Sequence, residues 1–525
     1  VERERFSRLL LPVMCLVVML VAVLQTLVVP IIGTIGDQLG VGTTAVSWLI
    51  TANLLAAATS TPVLARVADL YGKRRVLLGI LLVVLVGSLL AALASSLPLL
   101  VAARVLQGFS YGLFPIGIAV LRDELAPGKL TGAMGLLSGT MGFGGCFGIV
   151  LAGVLVSDGS DFHRVFWLSA AVTLCALAGA ALVIPSRPPT GSGTIDWIGV
   201  VGLSTGLVLV LLALAEGVRW GWGSPATIGC AAGGILVLIG WYLWERRAEH
   251  PVVAPRLVAA RAVLPTHLAA VLIGMAMFAM FLGASFFVQA PRAAAGYGFG
   301  ATVLEAALVY LLPGAVFGVL ASAVSGRLVG RFTARRVLTA ASAVGVAGFV
   351  LFALAHDHTW QVILAIVLVN TFVSLAFACL PSLIVAEVPP QDTGVANSIN
   401  SIGRSVGSSI SSALLATLLA AITVTGTDVP SETAFVVAFA FGAVTTALAG
   451  LLVALGNRPA RGRQGVIPVW SSSTGASAPS KGPSEAPGRS ADPVDDHAHA
   501  RPPRGATAES RASSPALTCG RSAEN

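Results

Sequence analysis

The stretch Ala65-Arg-Val-Ala-Asp-Leu-Tyr-Gly-Lys-Arg-Arg-Val-Leu77 returns, loosely rewritten, as Gly326-Arg-Leu-Val-Gly-Arg-Phe-Thr-Ala-Arg-Arg-Val-Leu338. The two align without a gap at an offset of 261 residues, and each lies between two long apolar runs. A second match, PGKLTG at 127–132 against PPQDTG at 389–394, repeats the spacing to within one residue. Two unrelated basic loops would not reproduce a second site, so the chain carries two copies of one unit.

Working outward from these loops, the apolar runs are about twenty residues long, which at ~1.5 Å rise per residue matches the ~30 Å hydrocarbon core of a bilayer. Fourteen are expected as helices, near 9–32, 45–66, 76–95, 98–121, 131–156, 165–184, 196–215, 225–244, 263–290, 302–326, 337–355, 361–385, 393–422 and 433–456. Composition agrees: of 525 residues, 56% are hydrophobic and 11% charged, against roughly 25% charged in a soluble protein. Mean hydropathy is +0.88. A soluble enzyme, a coiled coil, a disordered chain and a collagen are excluded, and the fold class expected is an all-α polytopic membrane protein. The first run is too long for a signal-peptide core and is expected to stay in the mature chain.

The net charge of +8 does not indicate nucleic acid, because the basic residues sit in short loops, where they set membrane orientation. With the N-terminus inside, seven cytoplasmic segments up to Arg463 hold three, four, two, one, four, four and three Lys or Arg, 21 in all. The external loops hold Arg164, Arg219 and Arg292 only. Both termini are therefore expected in the cytoplasm. The six cysteines form no CxxC pair, which indicates neither a disulfide framework nor a metal site. From Asn457 the sequence turns to Ser, Pro, Ala and Gly, a composition that cannot bury enough apolar surface to order itself. The division expected is a six-helix bundle at 1–185, two inserted helices at 186–262, a second bundle at 263–456 and a disordered cytoplasmic tail at 457–525. Parallel repeats of this kind are a transporter architecture with the path between the halves.

Several motifs carry chemistry. Asp69, Gly72, Lys73, Arg74 and Arg75 lie in the loop after the second span. Gly72 permits a tight turn, and Asp69 can pair with basic groups or the positive N-terminal end of a neighbouring helix; together they suggest a latch that gates. In the second copy Gly330 and Thr333 stand at these two positions, so that copy is expected to serve topology. The fourth span contains Arg104-Val-Leu-Gln107-Gly108, with Arg104 about 9 Å into the membrane. A charge there faces a cavity or a partner, or snorkels to the surface. The fifth span carries Gly144, Gly148 and Gly153, spaced for close helix approach. In the thirteenth, Asn400 and Arg404 lie in Asn397-Ser-Ile-Asn400-Ser-Ile-Gly-Arg404; Arg404 is about 16 Å deep, a functional position or a structurally paired one.

On these residues the chain resembles the major facilitator superfamily, and within it the fourteen-helix drug:proton antiporters, over about residues 9–456. The loop is similar to the signature G-x-x-x-D-R-x-G-R-K/R-R, with Ala65 for the first Gly and Leu70 for the basic residue. The fourth span resembles R-x-x-Q-G, which implies that Arg104, with Gln107 beside it, controls a proton-carrying acid. The fifth resembles G-x-x-x-G-P-x-x-G-G, with Ile149 and Ala152 as departures. In the first span Gln25 stands where the relatives have an acid, and Gln cannot carry a proton. If coupling survives, Glu305, about one turn into the tenth span, is the best-placed carboxylate; an interfacial Glu facing water is the alternative reading.

The function expected is secondary-active, proton-coupled efflux of drugs, antibiotics or other small amphipathic compounds by alternating access. A facilitator or importer of a small metabolite on the same fold stays open. With Arg104 and Arg404 the deep charges, substrates are expected to be neutral, zwitterionic or anionic. No nucleophile–base set, metal cluster or phosphate loop is present, so neither an enzyme nor a cofactor is expected, with the proton gradient as energy source. The expected partners are the substrate and the lipid bilayer, the chain being monomeric. Arg outnumbers Lys 29 to 3, which suggests a high-GC bacterial genome and hence the bacterial plasma membrane.

Overall fold

The computed structural model describes residues 2–456 except 157–159, 190–193, 250, 254–262, 389–392 and 425–428. The expected tail at 457–525 and most of the PPQDTG segment lie outside the described residues. Fourteen helices are long and apolar enough to cross a bilayer. They are α1 (Leu9–Leu39), α2 (Trp48–Tyr71), α3 (Lys73–Ala92), α4 (Leu97–Glu124), α5 (Gly132–Leu155), α6 (His163–Val183), α7 (Trp197–Trp220), α8 (Pro225–Glu245), α9 (Leu264–Gln289), α10 (Val303–Phe332), α11 (Ala334–Leu354), α12 (Thr359–Glu387), α13 (Thr393–Ala421) and α14 (Glu432–Leu455).

All fourteen expected spans are present, and several run past the ends of their apolar segments. Counting apolar residues stops at the first charge, whereas backbone hydrogen bonding continues until the chain must turn. Helix α2 continues through Arg66 and Asp69 to Tyr71, and Gly72 turns the chain with φ 99°. Helix α10 ends in the same way, yet there Thr333 holds φ 75°. The two copies thus share one backbone turn although only the first has the residue suited to it. Within α10, residues Ala306–Leu311 form a π-helical turn just before Pro313, whose ring nitrogen has no proton to donate to a regular helix.

One apolar core runs from Leu10 to Ile184, within α1–α6. A second is built from α9–α12 and α14, with Cys146 and Ile149 of α5 added to it. Across the two, α5 packs on α10 and α12, and α2 packs on α13. Helix α7 packs on α8, and also on α2 and α13, so it closes the side of the seam between the cores. Helix α8 buries only 11% of its apolar window and turns most of its surface outward. The ends of the spans that carry Lys73, Arg74 and Arg335 form a basic face.

Candidate functional site

A cavity of about 680 Å³ lies between the two cores, within the size range of pockets that hold drug-sized ligands. Its walls come from both halves. Helices α1, α2, α4 and α5 face α9, α10, α12 and α13, and α7 contributes Leu211, Leu214, Ala215, Glu216, Val218 and Arg219. Most of the lining is apolar and rich in pliant or aromatic groups, including Met141, Met277, Met280, Phe278, Phe281 and Phe286. Methionine adapts its shape to differing ligands. The buried hydroxyl of Tyr111, which has no hydrogen-bond partner, adds a polar handle.

The polar wall belongs to α13. Ser401, Ser405, Ser408 and Ser412 line the cavity together with Arg404, at spacings of four, three and four that place them on one helix face. Arg404 is buried; its Nη2 donates to Ser401 Oγ at 3.0 Å. Its guanidinium carbon lies 5.2 Å from the Phe114 ring centroid and 4.7 Å from that of Phe377. One ring comes from α4 and the other from α12, so the charge is held between aromatic faces from the two halves, an arrangement their quadrupoles favour. The other cavity end reaches Ser47, Arg219 and Phe286, close to the helix ends opposite the basic face.

Toward the basic face the seam is closed. A Cβ on Gly135 would meet Ser325 Oγ at 1.9 Å, and one on Gly139 would meet the Ser322 Cβ at 2.4 Å; only glycine lets α5 and α10 approach this far. On the other side, Asp69 is buried with both carboxylate oxygens 3.6 Å from the Cβ position of Gly394. That places a negative charge at the first turn of α13, where the helix end carries partial positive charge. The rest of the loop is tied to its own half. Lys73 pairs with Asp123, Arg74 Nη2 donates to the Ala181 carbonyl at 2.7 Å, and Gly72 is buried while Arg75 is exposed. Arg187 makes two hydrogen bonds to Glu124, at 2.7 and 3.0 Å, and this pairing holds its guanidinium above the ordinary arginine range.

Comparison with known proteins shows the family. Residues 14–412 and 316–478 match the Major Facilitator Superfamily. The chain belongs to that superfamily. It is 30% identical over 389 residues to an uncharacterized MFS-type transporter of Mycobacterium tuberculosis, covering 73% of this chain and 55% of that protein, so it spans about half that relative's length. Identity is also 30% to the tetracenomycin C resistance and export protein of Streptomyces glaucescens, over 73% of this chain and 70% of that one. The crystal structure of the human organic anion transporter TETRAN superposes with a TM-score of 0.61 at 15% identity, covering 85% of this chain and 99% of the other, which shows a shared fold.

The remaining residues singled out in this superfamily member separate into three groups. Gln25 and Arg404 line the cavity. Arg104 does not: it is 0% exposed, with Nε donating to the Leu49 carbonyl at 3.2 Å and Nη1 to the Leu24 carbonyl at 2.9 Å and to Gln107 Oε1 at 2.7 Å. Gln107 passes the chain on to Ser88 Oγ at 3.0 Å. Arg104 therefore ties α1, α2 and α4 together behind the cavity wall. Asn400 is fully buried one turn before Arg404, and neither atom of its amide has a hydrogen-bond partner. The glycines of α5 pack elsewhere: a Cβ on Gly144 would meet the Met19 carbonyl at 2.8 Å and one on Gly148 the Thr26 hydroxyl at 2.3 Å, both on α1, while Gly153 faces Leu304 at 3.3 Å.

Glu305 takes the water-facing one of its two readings. It is exposed and closes a capping box, accepting from the Thr302 backbone at 2.9 Å while its own N–H donates to Thr302 Oγ1 at 3.2 Å. A glutamate three residues after a threonine at a helix start has this local use, and Glu305 does not line the cavity. Two features escaped the sequence reading. The serine face of α13 was visible in its spacing. Glu216 was not, since a carboxylate near the end of an apolar run looks solvated; it is 2% exposed and borders the cavity.

Proposed function

We propose that the protein exports small amphipathic compounds, antibiotic-like molecules among them, by alternating access across a bacterial plasma membrane. The observation that carries this reading is the cavity itself: walled by both halves, lined with Met and Phe, and sealed toward the basic face. The excess of Lys and Arg there makes that face cytoplasmic, so the conformation described is the one open toward the exterior. Rocking of the halves about the cavity would expose it to the other side. The name of the Streptomyces glaucescens relative supports export as the direction. The walls suit transport rather than catalysis, and we take the proton gradient as the energy source, a monomer as the working unit and no cofactor as required. Arg404 favours neutral, zwitterionic or anionic substrates over permanent cations.

Resistance and accumulation of a compound panel, measured in an efflux-deficient host with and without a proton uncoupler, tests this. Lower accumulation that the uncoupler abolishes is the expected result. Downhill equilibration insensitive to uncoupler would favour the facilitator reading, to which Gln25 in place of a helix-1 acid lends weight. Orientation is checked separately: with Cys519 as the sole cysteine, an impermeant thiol reagent should leave intact cells unlabelled.

A further inference from the structure

Among the described residues three charged side chains line the cavity: Arg404 of α13 and, from the inserted helix α7, Glu216 and Arg219. Glu216 is the sole carboxylate of the three. Its side chain is 3% exposed, against 41% for that of Arg219, whose Nη1 lies 2.8 Å from Glu216 Oε2. The contact is an ion pair without hydrogen-bond alignment, because Oε2 accepts no hydrogen bond.

Within its own helix only Arg219, three residues on, faces this carboxylate. It lies about one turn from the C-terminal end of α7 at Trp220, where the partial negative charge of the helix end disfavours an anion. Burying it costs several kcal/mol by general estimates, which one poorly aligned partner offsets only in part. A buried ionisable group within a membrane span, bordering a cavity, is best explained by a ligand. The elements packed on α7 bring no other charge into the cavity except Arg404 of α13.

We propose that Glu216 is the docking group for a substrate ammonium, so that the preferred substrates are zwitterionic amphiphiles. The arriving ammonium takes the place of Arg219 against the carboxylate, and the guanidinium turns into the water it already half faces. The acidic or polar end of the substrate lies toward Arg404, and its apolar body lies against the Met and Phe side chains. On this reading the inserted helix pair supplies specificity, since α7 brings the carboxylate that the two repeats lack at the cavity. The inference rests on the cavity being the substrate site.

The test uses the purified full-length chain in detergent and two fluorescent probes, Nα-dansyl-lysine, a zwitterion whose ε-ammonium is held away from its carboxylate by the side chain, and its Nε-acetyl derivative, which lacks the ammonium. Wild type should bind the zwitterion about tenfold more tightly, a 1.4 kcal/mol difference. Glu216→Gln should erase that preference while keeping affinity for the acetylated probe, and Glu216→Asp should retain part of it. Arg219→Gln should tighten zwitterion binding by removing the competitor. Because Arg219 is water-facing, Glu216→Gln leaves no charge stranded in the interior, and retained binding of the acetylated probe reports an intact fold. Equal affinities in wild type, or the same preference in Glu216→Gln, overturns the role of Glu216 and leaves the cavity reading standing. Failure of both probes to bind wild type overturns the cavity as the site.

Discussion

Arg404 of α13 and Phe114 of α4 meet across the two halves of the molecule, with the guanidinium carbon 5.2 Å from the ring centroid. A charge from one repeat is thus held partly by the other, and the contact must change whenever the halves move. Arg404→Lys keeps the charge and loses the planar face that stacks between rings. Transport of anionic and zwitterionic compounds should fall about tenfold, in line with a cation–π contribution of ~1–2 kcal/mol, with neutral compounds much less affected. Equal losses in both classes, measured as initial rates in vesicles, would make Arg404 a structural residue.

Arg104 should behave differently, because it sits behind the wall. Arg104→Met removes the donors that satisfy the Leu24 and Leu49 carbonyls and Gln107. Leaving a buried acceptor unpaired costs about 1–3 kcal/mol. We expect lower thermal stability in detergent and lower membrane abundance, with the substrate profile of the surviving protein unchanged. A changed profile at normal stability would return Arg104 to the transport path.

Asp69→Asn retains shape and removes the charge facing the start of α13. Such a charge at a partly buried helix terminus is worth up to ~2 kcal/mol. The closed state of the basic face loses that support, so transport should drop strongly while membrane abundance stays near wild type. Normal transport by this variant would reduce the loop to an orientation signal.

Thr333→Gly should stabilise the protein. A threonine held at φ 75° carries about 1–3 kcal/mol of backbone strain, part of which glycine returns as extra freedom in the unfolded chain. A net gain of about 1 kcal/mol is expected in detergent melting. The mirror variant Gly72→Ala should lose a comparable amount, since Gly72 at φ 99° occupies the same turn. No difference in either variant would show that the turn relaxes around its residue.

Much of the architecture was legible without coordinates because it depends on quantities that add along the chain. Fourteen apolar runs of bilayer length cannot be solvated and cannot leave backbone groups unpaired in lipid, so they become helices. The offset of 261 between the two basic loops sets six helices against six and leaves α7 and α8 over. The serine face of α13 is also a matter of helical spacing, although it went unread there. What misled the reading was depth counted along a single helix. Glu305 and Glu216 each lie near the end of a span, and that measure ranked Glu305 as the better placed and Glu216 as the more exposed.

Only the tertiary structure separates them. Thr302 turns the Glu305 carboxylate back onto the chain as a cap, whereas α7, wedged between α2 and α13, carries the Glu216 carboxylate to the cavity. Arg104 and Arg404 divide in the same way, one bonded to three helices of its own half and the other held between rings of both. Sequence alone determined that this chain spans a bilayer fourteen times as a repeated unit, because hydropathy and periodicity are local properties that lipid reads one helix at a time. Which of its few buried charges lines the cavity, and which holds the frame, was decided by how the helices rotate and pack against one another. That rotation is set by close contacts such as Gly135 on Ser325, which exist only between residues far apart in the chain.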